Sequence, residues 1–155
     1  MLVSYLAAAG KFPEAHAVLN RIEIIEPDSR SAHTGRFRLA LLEGKADEAL
    51  AEAGKMSNQF RRLQAIAFSQ HSLGHEHESE QALDDLIKSF ASIGAFQIAE
   101  VYAWRGEADQ AFAWLDRAYL QHDAGLIDLK FAPTLASLRR DPRYEALLVK
   151  MKLPL

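Results

Sequence analysis

The densest set of potential ligands in the chain is Gln70-His71-Ser72-Leu73-Gly74-His75-Glu76-His77-Glu78. Neutral imidazoles bind zinc well, and a His-X-His pair such as His75 and His77 can direct two nitrogens at one ion. With His71 added, the enzymatic alternative is a metal-dependent hydrolase using this cluster. The helical His-Glu-X-X-His arrangement is missing, however, and Gly74 sits where a turn would separate His71 from the other two. Solvated turn residues are the simpler reading, so no metal is expected. Nucleophilic chemistry has less to work with, because there is no Gly-X-Ser-X-Gly elbow and Ser31 and Ser137 have no activating context. The absence of cysteine removes thiol catalysis, disulfide frameworks, iron-sulfur clusters and Cys-based zinc sites. Gly10, Gly44, Gly74 and Gly106 stand singly rather than in a phosphate-binding loop. Carboxylates at Glu76, Glu78, Glu80, Asp84 and Asp85 have no implied enclosure that would split their pKa values for acid-base work. A noncatalytic chain without cofactor is expected.

Charge narrows the partners. Eighteen Lys and Arg against 21 Asp and Glu leave a net charge of −3, which gives no footprint for phosphate backbones, so nucleic acid is not expected. Arg139, Arg140, Arg143 and Lys150 read as solvated helix charges rather than a phosphate or RNA site. No run approaches the ~20 apolar residues of a membrane span, and Met1-Leu2-Val3-Ser4-Tyr5 lacks the basic start of a secretion signal. No membrane partner is expected, and a cytoplasmic location follows as the expectation. At 155 residues and 49% apolar, one soluble globular domain needs no disulfide or metal staple.

Any chemistry must be positioned by elements, and these repeat. Gly10, Gly44, Gly74 and Gly106 lie 34, 30 and 32 residues apart in similar surroundings, each followed five positions on by a small residue with acidic residues just before it. Each follows an apolar-periodic run, where a helix needs a C-terminal residue free to take positive φ. The acidic residues that follow suit the first turn of a second helix. Phe60, Leu63, Ile66 and Ala67 before Gly74, and Leu83, Leu86, Ile87 and Phe90 after it, keep the three-or-four spacing of an amphipathic helix. No stretch shows the alternation and tight turns of strand hairpins. The pattern predicts helical hairpins throughout.

These hairpins resemble tetratricopeptide repeats. Ala95, Ile98-Ala99, Tyr102, Gly106, Ala111, Leu115 and Ala118 fall at the offsets of that family, as do Leu2-Val3, Leu6, Gly10, Ala15, Leu19 and Pro27. Leu63, Ile66-Ala67, Ser79, Leu83 and Leu86 match less fully, with Gln70 where Tyr is usual. The second repeat departs most: His33, Arg36 and Phe37 replace an aromatic, a Leu and a small residue, and its spacing to the next repeat is four short. Four residues are about one helical turn, so the second helix of that hairpin, around Ala46 to Met56, is expected to be short and weakened further by Gly54. The resemblance covers approximately residues 1 to 123. It implies an all-α superhelical solenoid of about four hairpins over 1–125, divided as 1–29 (a truncated first repeat), 30–59, 60–91 and 92–125, with capping helices over 126–155. The stretch from Ile98 through Trp104-Arg105-Gly106 to Trp114-Leu115, followed by Leu135, Leu138-Arg139 and Asp141-Pro142-Arg143-Tyr144, is similar to the C-terminal repeat segments of bacterial signalling proteins. This implies a fragment or relative of such a regulator, extended upstream of Met1.

The implied function is a protein- or peptide-binding scaffold. Stacked hairpins present a concave groove, and the family's offsets place Arg38, Leu41 and Leu42, then Arg61, Gln64, Phe68 and His71, then Phe96, Glu100 and Trp104 on that face. Trp104 and Arg38 lead as anchors, with Phe68 behind them. A self-associating module, in which the open N-terminal repeat stacks on a second copy as a homo-oligomer, is a further alternative.

Overall fold

Four glycines fix where the chain reverses. Gly10, Gly44, Gly74 and Gly106 have φ of +72°, +76°, +78° and +79°, the left-handed region that side chains with a Cβ resist. The amide after each returns to the carbonyl five residues back, from Lys11 to Leu6, Lys45 to Ala40, His75 to Gln70 and Glu107 to Tyr102, at 2.8–2.9 Å. Carbonyls that would otherwise be orphaned at a helix end are thereby satisfied. The computed structural model describes residues 2–27 and 29–154, and among them the secondary structure is entirely helical. The helices are α1 (Leu2–Ala8), α2 (Phe12–Ile25), α3 (Arg30–Leu42), α4 (Ala46–Gly54), α5 (Gln59–Ser72), α6 (Glu76–Phe90), α7 (Ala95–Trp104), α8 (Ala108–Leu120) and α9 (Pro142–Lys150), with 3-10 helices η1 (Ala124–Asp128) and η2 (Pro133–Arg140) between the last two. Each pivot glycine joins two consecutive helices. The chain divides into two compact units, Met1–Leu86 and Ile87–Leu155.

In the first unit, α1 packs on α2 and α3, and α3 packs on α2, α4 and α5. Val3, Ala7, Ala15, Leu19 and Leu39 form a core there, flanked by Leu6, Phe12, Val18, Ile22 and Leu42. Small residues permit the close approaches: a Cβ on Gly35 would lie 2.9 Å from Cδ1 of Leu19. The Phe37 and Phe68 rings meet at 6.4 Å between α3 and α5. Ser29 Oγ accepts from the amide of Ala32, and Asn58 Oδ1 from that of Arg61, so side chains cap the starts of α3 and α5. The expected shortening is present, with nine residues in α4 against 14 in α2 and 15 in α6.

In the second unit α7 is buried almost all round, and α8, η1 and η2 pack on it. Leu115, Leu129 and Leu135 are fully enclosed, each worth about 1.5–3 kcal/mol relative to exposure. Gly94 offers α7 no side-chain cap, and Asp123 supplies it from the far end of α8. One of its carboxylate oxygens accepts from the amide of Phe96 at 3.0 Å and the other from that of Gly125 at 2.8 Å. The segment after α8 docks in a fixed register. Thr134 donates to Glu100, Ser137 to the carbonyl of Ala103, Arg143 to Asp109 and Lys150 to Asp116, and each pair is 34 residues apart. So η2 sits against α7, and α9 against α8, each in a register of 34 residues. Their junction is Asp141 in extended geometry, whose carboxylate accepts from the amide of Arg143, with Pro142 opening α9.

Candidate binding cleft

Three helices of the first unit, α2, α3 and α4, enclose an open cleft of about 250 Å³. Its floor is apolar: Leu19 from α2, Leu39 and Ala40 from α3, and Ala51 from α4. Arg36, Leu39, Ala40 and Glu43 recur at three- and four-residue steps and therefore form one stripe of α3. Short α4, with Ala at 46, 49, 51 and 53, puts little bulk over that stripe.

Charges wall the cleft and hold one another. Glu43 accepts from Lys45 at 2.8 Å and lies 2.8 Å from Nε2 of His16. The hydrogen bond from Lys45, and then that from His16, keep its carboxyl below the usual range, while Lys45 is raised in return. On the other side Glu52 lies 3.0 Å from Nδ1 of His33 and accepts from Lys55 at 2.6 Å. Burial pushes the Glu52 carboxyl up, but the hydrogen bonds from His33 and Lys55, with the charges of Lys55 and Arg36, outweigh it and leave it lowered. Arg36 donates to Glu23 at 2.6 Å and to the carbonyl of Pro27 at 2.8 Å. His33 and Arg36, the residues that depart most from the repeat pattern, thus hold α4 and the end of α2 through polar contacts instead of apolar packing. Glu48 also lines the cleft; it is exposed and makes no hydrogen bond or ion pair with another described residue.

The groove residues expected from the sequence are placed differently. Arg61, Gln64, Phe68 and His71 share one stripe of α5, with Arg61 lying over the Phe60 ring and donating to Gln64 at 3.5 Å. Phe68, however, is 2% exposed and packed on Phe37, and Gln64 is 4% exposed. Phe96 and Glu100 on α7 are likewise enclosed, Phe96 in the core and Glu100 beneath Thr134. Offsets carried over from a resemblance identify a stripe of a helix without saying how deeply its members are buried, so core and groove residues fall on the same stripe. Arg38, Arg61, His71 and Trp104 are half-exposed. Arg38 lies two residues, about 200°, around α3 from Arg36, away from the cleft.

The histidines do not converge. His71 pairs with Glu76, His75 with Gln70, and His77 is exposed. Among the described residues no three His, Cys, Asp or Glu side chains gather as a metal would require, and no helix is long and apolar enough to cross a membrane. Sequence reasoning missed the cleft, since its walls come from ordinary surface charges on three helices. One signal was present: His33 and Arg36 stand where the resemblance to tetratricopeptide repeats implies apolar residues, and a charge at such a position needs a partner. In comparison with known proteins, the chain matches no family model, no curated protein and no solved structure.

Proposed function

We propose that this chain is a noncatalytic scaffold of tetratricopeptide-like hairpins that binds extended segments of other proteins, as the interaction segment of a larger signalling protein. The single observation that carries the binding role is the cleft over α3, an apolar floor open to solvent between walls already held in place by ion pairs. Preorganised walls lower the ordering entropy that a partner must overcome. The repeat reading is supported by the left-handed glycines at the end of α1, α3, α5 and α7 and by the 34-residue register of the C-terminal contacts. The test is selection of displayed random peptides on the folded chain, with the urea-unfolded chain as control. Enrichment of a recurring motif that shifts backbone amide resonances of α2, α3 or α4 is the expected result. Enrichment of no motif beyond the control overturns the binding role.

A further inference from the structure

From the lining of the cleft we infer the class of segment it takes: an extended peptide of another protein that inserts one aliphatic side chain and carries Lys or Arg beside it. This rests on the peptide-binding reading and specifies its ligand. At about 250 Å³ the cleft lies below the roughly 300–1,000 Å³ of sites that enclose a small-molecule ligand. It has room for an aliphatic side chain, not for a helix face. Leu19, Leu39, Ala40 and Ala51 offer that side chain apolar contact on three helices. The adjoining charge follows from which wall groups are already engaged. Glu43 is held by Lys45 and His16, and Glu52 by His33 and Lys55, while Arg36 is committed to Glu23 and to the Pro27 carbonyl. Glu48, exposed on α4, feels the charge of Lys45 but makes no hydrogen bond or ion pair with a described residue, and with Glu43 and Glu52 it gives the lining three carboxylates against the two cations Arg36 and Lys45. A cation arriving beside the aliphatic side chain gains that excess negative charge, whereas an anion there is repelled by it.

Three end-blocked peptide pools, each otherwise randomised, test this on the full chain by fluorescence anisotropy: aliphatic next to Lys or Arg, aliphatic next to Asp or Glu, and Ser next to Lys or Arg. The first pool is expected to bind most tightly. Ala51→Leu fills the floor from an exposed position and weakens that binding about tenfold or more. Glu48→Lys weakens it about threefold at low salt, with the difference shrinking as salt is added, and improves the aliphatic-acidic pool. Both variants replace exposed side chains, so circular dichroism should show the parent helicity. Equal binding of the Ser pool, preference for the acidic pool, or binding unchanged by both substitutions overturns this ligand class while leaving peptide binding intact. Failure of all three pools also overturns it, and the displayed-peptide selection then decides separately whether the broader reading falls with it.

Discussion

A Cβ on Gly125 would fall 2.6 Å from Cδ1 of Phe96 and 2.8 Å from Nε2 of Gln97, closer than atoms tolerate, and both neighbours belong to the buried side of α7. Gly125→Ala should therefore destabilise the second unit by about 1–3 kcal/mol, as overpacking of a filled site does, read as a lower urea midpoint. Two serines make the opposite comparison. Ser79 Oγ donates to the carbonyl of Ala67 at 2.9 Å, and its removal leaves a buried contact unmade. Ser69 Oγ is fully buried and has no hydrogen-bond partner among the described residues, so its desolvation is uncompensated. Ser69→Ala is expected to be neutral or stabilising by up to about 1 kcal/mol, and Ser79→Ala destabilising by about 1 kcal/mol. Paired denaturation curves check the two signs, and equal losses would sink the comparison. Neither the tight Gly125 site nor the orphaned hydroxyl could be read from the sequence. Both depend on which atoms meet after the chain has packed.

Two glycines bracket α4 and should respond in opposite directions at the scale of the element. Gly44 ends α3 in the left-handed region with open space around it, so Gly44→Ala loses only backbone comfort and costs about 1–2 kcal/mol. Gly54 closes α4, has no positive φ and likewise has room for a Cβ. There Gly54→Ala removes the entropy penalty of a helical glycine and stabilises by about 0.5–1 kcal/mol. Thermal unfolding of the two variants measures the pair, and a loss at Gly54 would mean that α4 needs the glycine for a reason other than its length. The element scale is also where the sequence was most legible. Pivot glycines are readable because positive φ is a local demand, and the short α4 is readable because repeat spacing counts helical turns. The Asp141-Pro142 start of α9 follows from capping chemistry alone. Capping helices over 126–155 are expected from the sequence, but the register in which η2 and α9 dock is not legible there, because Arg140 stands 34 residues after Gly106 where a further pivot glycine would mark it. The 34-residue register surfaces instead in pairs such as Thr134 with Glu100 and Arg143 with Asp109. The Arg143 guanidinium is itself placed by the Phe112 ring 4.3 Å away.

For the whole molecule, the acid limb of stability should be set by carboxylates that their cations hold ionised. Asp141 is lowered to about 2, chiefly by the hydrogen bond from the Arg143 side chain and then by that residue's amide. Glu43 and Glu52 are lowered as well, from an ordinary value of 4.5. In each case the folded state binds a proton less readily than the unfolded chain, so stability rises with pH through this range. The contribution is complete above the unfolded values and is lost as pH falls through the lowered folded ones, a window from about 5 down to about 2. The melting temperature should therefore fall steeply below about pH 4.5, and Glu52→Gln should flatten part of that fall while lowering stability at neutral pH. Added salt should shrink the share from the exposed Asp141–Arg143 pair more than that from Glu52, which lies half-buried between α3 and α4. Melting curves from pH 7 to 3 at low and high salt carry the test. An acid limb of the same slope in Glu52→Gln would show that the charges walling the cleft do not hold α4 against α3, and the rigid walls on which partner binding depends would lose their physical basis.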